Sequence, residues 1–187
     1  MAKLIYLTNV SVDGYIEDES GDFSWFPRDD EVFSFTTDLV RSVGTFLYGR
    51  RLYEAMAVWE TDASLAAQSG LMADFAHAWQ AANKVVYSTT LTEVSTKATS
   101  LERSFDPAAV EKLKATADSD ITVGGANLAA QAMRAGLVDE CQLIVWPASV
   151  GGGKPGLPTG VRNNFTLLDE RRFRSGVLHL RYEVVGR

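Results

Sequence analysis

A chain of 187 residues and 20.4 kDa, 46% of them hydrophobic, has the size of one domain, here residues 1–187, and can fill a core without disulfide or metal staples. Its net charge of −6 and pI near 4.9 exclude a duplex-binding surface, which needs clustered Lys and Arg to neutralise phosphates. The basic pairs Arg50–Arg51 and Arg171–Arg172 suffice only for one small phosphate, and no apolar run approaches the length of a membrane span.

Leu4 to Val10 reads as a first strand. The stretch SVDGYIEDESGDFSWF that follows is rich in Gly, Asp and Ser and reads as loop. Asp29 to Val43 carries Val32, Phe33, Thr36, Leu39, Val40 and Val43 at helical intervals. Thr45 to Tyr48 is a second strand, ended by Gly49, and a short helix begins at Arg50 or Arg51. Ser64 to Ala82 reads as one longer helix with Leu65, Leu71, Phe75 and Trp79 inward. Lys84 to Ser88 and Lys97 to Leu101 are the next strands. Asp106 and Pro107 open another helix, as N-cap and first helical residue, and it runs to about Asp118. Ile121 to Val123 is a strand, and Cys141 to Trp146 another. SVGGGKPGLPTG is a loop, and Phe165 to Phe173 with Val177 to Val185 form a hairpin turning at Ser175–Gly176. Alternating strands and helices closed by a hairpin predict an α/β fold, mostly parallel with an antiparallel edge.

The segment ITVGGANLAAQAMRAGLVDE, from Ile121, carries the most chemistry. Gly124 and Gly125 remove two side chains where a strand meets a helix, so the backbone can turn tightly and admit a close neighbour. The helix behind them, with Leu128, Ala129, Ala132 and Met133 on one face, points unpaired N–H groups at the turn. Such an end suits a pyrophosphate, although a strand, a Gly pair and a helix also serve packing alone. The sequences G-x-G-x-x-G, GK[ST], G-x-S-x-G, C-x-x-C and H-x-E are absent. His77 and His179 lack ligand spacing, and Glu17-Asp18-Glu19 lacks the calcium-loop pattern, so no metal is expected. Cys141, the single cysteine, falls in a strand pattern and reads as core. With no possible internal disulfide and no signal-peptide character in MAKLIYLTNVSVDG, a reducing cytoplasm is expected.

Four segments taken in order, SVDGYI, YGRRLYE, YSTT and VGGANL, resemble the dihydrofolate reductase-like superfamily, and within it the RibD C-terminal domain branch named for the riboflavin-pathway reductase. The resemblance covers nearly the whole chain. It implies a three-layer dihydrofolate reductase-like fold and NADPH across the carboxyl ends of the strands, where open α/β sheets place ligands. It puts Gly49, Arg50 and Arg51 beside the adenosine 2′-phosphate, which a guanidinium fork matches. Ser88 and Thr89 fall near the adenine ribose, and Gly124, Gly125, Ala126, Asn127 and Leu128 at the pyrophosphate turn. Leu52 stands where many relatives carry Thr.

By the same resemblance SVDGYI lies over the nicotinamide, with Asp13 either handling a proton or holding the loop. Trp25 is placed as a cap on a substrate pocket, and Lys154 in GGGKPGLP as a contact for an anionic group. Folate reductases carry a carboxylate on the first helix; counting back from YGR without a gap, that position is Phe33, and Asp30, Glu31 and Asp38 miss it. The expected function is therefore an NADPH-dependent reductase acting on a small-molecule heterocycle or conjugated double bond, riboflavin-pathway pyrimidine reductase-like or dihydrofolate reductase-like. The alternative is a non-catalytic nucleotide-binding or sensor module. Nucleic acid and membrane partners are not expected. A homodimer is, both because relatives in the riboflavin branch are often dimers and because the apolar hairpin lies at a sheet edge.

Overall fold

The structure is a computed structural model and describes residues 1–186. Strand β1 (Leu4–Ser11) is followed by a three-residue strand, β2 (Tyr15–Glu17). Helix α1 (Asp30–Arg41) starts where the Asp29 carboxylate accepts the Glu31 and Val32 N–H groups and ends at Ser42. Val43, expected in that helix, instead opens β3 (Val43–Gly49). Helix α2 (Arg50–Thr61) is a full three turns, longer than the short helix expected. The single helix expected from Ser64 to Ala82 is two: α3 (Ala63–Ala66), capped by Asp62, and α4 (Gly70–Ala81), capped by Ser69. Ser69 takes the Met72 N–H on its own hydroxyl, so the local cap ends the continuous helix that the apolar spacing suggests. After them come β4 (Asn83–Tyr87), β5 (Thr99–Glu102), α5 (Pro107–Thr116), β6 (Asp120–Gly124), α6 (Ala126–Arg134), β7 (Glu140–Trp146), β8 (Lys154–Pro155), β9 (Phe165–Arg172) and β10 (Leu178–Val184). Among the described residues no helix is long and apolar enough to cross a membrane.

Eight strands form one sheet in the order β5-β4-β3-β6-β1-β7-β10-β9. The first six are parallel neighbours, and β10 and β9 close it antiparallel, as the hairpin predicted. Side chains alternate between two buried faces. Leu4, Tyr6, Leu47, Ile121 and Val123 pack under α5 and α6. Phe46, Tyr48 and Val86 face Val40 of α1, Tyr53 of α2 and Trp79 of α4. The result is three layers, helix on sheet on helix. Cys141 is buried in the first of these cores, which pushes its thiol up to about 12 and leaves it a packing residue. His77 is exposed, and buried His179 shares a 3.1 Å hydrogen bond with Gln142 on β7.

The short strands β2 and β8 form a second, antiparallel sheet at the carboxyl end of β1. Both lie in stretches read from sequence as loop, because two or three residues show no periodicity. Gly153, at φ 128°, is what allows the pairing: a Cβ there would stand within the backbone of Glu17 and Asp18. The Tyr6 hydroxyl donates to the Gly156 carbonyl at 2.7 Å, and Gly156 N–H donates to Gly14. The SVDGYI segment and the glycine-rich segment thus fold as one flap.

Candidate functional site

Register brings two helix starts together. In the β3–β6 pair, Tyr48 is opposite Gly124, so Gly49 and Gly125 are neighbours at the carboxyl edge of the sheet. A Cβ on Gly125 would lie 3.9 Å from the Gly49 nitrogen. From these two glycines α2 and α6 run away from the edge, and neither start has a side-chain cap. The other four helices are capped by Asp29, Asp62, Ser69 and Asp106. Two helix starts with open N–H groups side by side make a concentrated anion-attracting edge.

The two glycines differ in what they do. Gly125 has φ +91°, a conformation that a branched residue does not adopt without strain. Gly124 is a packing glycine: a Cβ there would be 2.5 Å from Leu52 Cδ2 and 3.1 Å from the Tyr48 ring. Leu52 packs on Gly124 of β6, and this contact accounts for an apolar residue at that position.

A cleft of about 710 Å³ opens over this edge. Nine of the ten residues expected at a cofactor line it: Gly49, Arg50 and Arg51 from α2's start, Ser88 and Thr89 after β4, and Gly125 to Leu128 from α6's start. The tenth, Gly124, lines a different cavity. The lining includes four cations, Arg50, Arg51, Arg103 and Lys154, and no carboxylate, in a chain of net charge −6. Arg50 donates to Thr90 Oγ1 at 3.1 Å, and Glu54 lies 3.8 Å from its Nε. Arg103 escaped sequence reading because it follows a weak four-residue strand. It donates to the carbonyls of Ser88, at 3.1 Å, and Leu91, at 2.5 Å, and so holds the turn that carries Ser88 and Thr89. Ser88 Oγ accepts the Thr90 and Leu91 N–H groups and completes that turn.

The second cavity, of about 520 Å³, lies between α1 and the sheet. Its floor follows the period-two alternation of one sheet face: Ile5, Leu7 and Asn9 on β1, Thr122 and Gly124 on β6, Ile144 and Trp146 on β7. Val32, Phe33, Thr36 and Val40 of α1 form the facing wall. Phe33, at the position of the folate reductases' carboxylate, sits there with its ring 5.2 Å from Phe75 and 6.0 Å from Trp59. Leu52 borders both cavities, so they adjoin.

Three expected site residues remain, Asp13, Trp25 and Lys154. Asp13 lines neither cavity. Its carboxylate accepts from Ser149 Oγ at 2.9 Å and from the N–H groups of Val150 and Gly151, tying the two halves of the flap. The Ser11 hydroxyl, with these donors, holds it well below the usual carboxylate range, so it carries no proton to give near neutrality. Trp25 lines neither cavity; its ring meets Phe26 edge-on at 5.0 Å, and it is Phe26 that borders the apolar cavity and touches Trp146. Lys154 lines the cationic cleft rather than the apolar cavity, with Nζ 3.3 Å from Glu17. Among the described residues no cluster of His, Cys, Asp and Glu could hold a metal ion.

A family model described as the RibD C-terminal domain matches residues 2–178. Over 186 residues the chain is 30% identical to the Bacillus subtilis (strain 168) uncharacterized protein YyaP, spanning 98% of this chain and 96% of that protein. Its structure is similar to that of a putative riboflavin biosynthesis protein from Shewanella sp. PV-4, with a TM-score of 0.76 and 20% identity over the whole of both chains. It is also similar to Acinetobacter baumannii RibD, with a TM-score of 0.71 and 14% identity over 99% of this chain and 58% of that one. At these identities the solved structures establish a shared fold.

Proposed function

The chain belongs to the RibD C-terminal domain family, and from that premise we propose that it is a cytoplasmic NADPH-dependent reductase, transferring hydride to a small heterocycle or a conjugated double bond. The observation that carries the reading is the cleft itself: four cations, no carboxylate and two uncapped helix starts, adjoining a largely apolar cavity. NADPH has a pyrophosphate and a 2′-phosphate, and this cleft offers each a partner. In the proposal the α2 and α6 N–H groups hold the pyrophosphate, and Arg50 and Arg51 hold the 2′-phosphate. Ser88 and Thr89 border the ribose, on a turn kept in place by Arg103. Gly49 and Gly125 leave room for the close approach. When bound, the cofactor supplies the hydride. The chain supplies orientation and an apolar cavity that is open to solvent at its mouth, and with Asp13 away from both cavities the proton comes from water.

Calorimetric titration with NADPH, followed by loss of the reduced nicotinamide absorbance over a panel of pterins, pyrimidines and conjugated ketones, tests this. Saturable binding with oxidation by one member of the panel is expected. Binding with no oxidation by any member favours the nucleotide-binding or sensor module, and absence of binding overturns the assignment.

We also propose a homodimer built on β9. That strand is the sheet edge, it offers an unpaired row of backbone groups, and Leu167 and Leu168 are 46% and 42% exposed on it. Arg171 and Arg172 on the same strand work against pairing. Light scattering should give twice 20.4 kDa; a mass of 20.4 kDa at all concentrations means that the arginines guard a free edge.

A further inference from the structure

We infer that the molecule reduced in the apolar cavity is an uncharged, flat, largely apolar conjugated carbonyl compound, and not a phosphoribosylated pyrimidine or a pterin. The inference rests on the reductase reading and adds the class of substrate. A cavity of about 520 Å³ is the size for a small organic ligand. What it lacks decides the class. Arg28 is the one cation among its lining residues and Asp29 the one carboxylate, so the lining has no net charge to meet a phosphate dianion. Arg28 is half-exposed and bonded to Asp30 at 2.9 Å. The Asp29 carboxylate caps α1 through the Glu31 and Val32 N–H groups. Both bonds fall on Oδ1, and the Ser175 hydroxyl is a further partner, so this one carboxylate is held by the protein rather than directed at the amino-substituted ring of a pterin.

The polar side chains of the cavity are mostly committed to the protein. Tyr48 accepts from Trp79 Nε1 at 3.1 Å. Thr36 donates to the Val32 carbonyl at 2.9 Å. Gln142 donates to Glu140 and shares a hydrogen bond with His179. Asn9 is different. Its Oδ1 accepts from Trp146 Nε1 at 2.8 Å, which fixes the amide and leaves the Nδ2 hydrogens without a partner among the described residues. Asn9 stands near the carboxyl end of β1, three residues past Tyr6, which pairs with Val123 in the parallel register. It is an oriented donor near the carboxyl end of a floor whose other polar side chains are Thr122 and Gln142, and it suits one carbonyl oxygen. The aromatic rings of Phe33, Phe26 and Trp146 suit a flat body.

The reaction balances as a two-electron reduction. Hydride from NADPH adds to the β-carbon of the C=C–C=O unit, the π pair moves to the oxygen held by Asn9, water returns a proton to the α-carbon, and NADP⁺ leaves.

The test compares three ligands by calorimetry on the unaltered chain: benzylideneacetone as the neutral enone, uridine 5′-monophosphate as the ribosyl phosphate, and dihydrofolate. Benzylideneacetone is expected to bind at least about tenfold more tightly than either of the others. Tighter binding of either charged ligand, or no binding of the enone, overturns the inference. NADPH is titrated separately. Enone binding without NADPH binding defeats the reductase reading and leaves the cavity's preference standing. NADPH binding with preference for a charged heterocycle does the opposite. Asn9→Asp keeps the acceptor for Trp146 and removes the amide donor; it should weaken the enone about tenfold or more while NADPH affinity holds. An unchanged enone affinity in that variant removes Asn9 from the recognition.

Discussion

Gly125→Val is expected to abolish measurable NADPH binding. The residue sits at φ +91°, so the valine strains the turn whatever space surrounds it, at a cost of about 1–3 kcal/mol to stability. Relieving that strain rotates the first N–H groups of α6 away from the cleft. Charge-assisted hydrogen bonds contribute about 1.5–3 kcal/mol each. Losing two of them weakens binding by roughly 10²–10⁴-fold. Gly49→Val separates occlusion from misfolding. Gly49 lies at φ −74°, ψ 158°, extended backbone that valine prefers, and no atom lies within 4 Å of its added Cβ. That variant should melt like the parent and still bind NADPH poorly, because the new side chain enters the cleft. Parental affinity in a folded Gly49→Val protein, alongside parental affinity in Gly125→Val, would mean that the glycine pair serves packing alone.

The second large effect is on cofactor choice. Replacing both Arg50 and Arg51 with Ala should weaken NADPH by about 3 kcal/mol or more, over 100-fold, and leave NADH nearly unchanged. The two arginines are not equivalent. Arg50 is already engaged by Thr90 and by Glu54, whereas Arg51 is exposed and has no hydrogen bond or ion pair to another described residue. The single Arg51→Ala variant should therefore show most of the discrimination, and Arg50→Ala a smaller loss together with a looser Ser88–Leu91 turn. Direct titration of both nucleotides with each variant checks this. Equal weakening of NADPH and NADH would take the 2′-phosphate away from these residues.

What the sequence determined by itself is the local chemistry. Period-two and period-3.6 patterns report a side chain's face directly, so the strands of the main sheet, to within a residue or two at their ends, and the capped start of α5 are legible in the sequence. Asp106 before Pro107 does the same thing in a peptide as in the protein. The motif at Gly124–Leu128 was readable for a similar reason, since a strand, two glycines and a helix leave little choice of turn.

What only the tertiary structure decided depends on pairing between segments far apart in the chain. The β2–β8 sheet unites residues about 140 apart and has no periodicity to announce it; a single close approach at Gly153 makes it possible. The same pairing places Asp13 as a clamp that holds the loop, one of the two roles open to it from sequence, and sets Lys154 among the cations of the cleft. The break between α3 and α4 turned on one serine hydroxyl outcompeting a continued helix. Gly124 and Gly125 look alike as letters, and only the tertiary structure separates them: Leu52 packs against one, and the other has a positive-φ backbone and lines the cationic cleft. Arg103 joined the cleft because β5 runs parallel to β4 at the sheet's edge, a relation set by register and not by any motif around it. The balance of charge within each cavity has the same origin: Arg50 and Arg103 come to line one cleft, and Asn9 and Trp146 the other cavity, only when the sheet is assembled, which leaves one lining cationic and the other largely apolar.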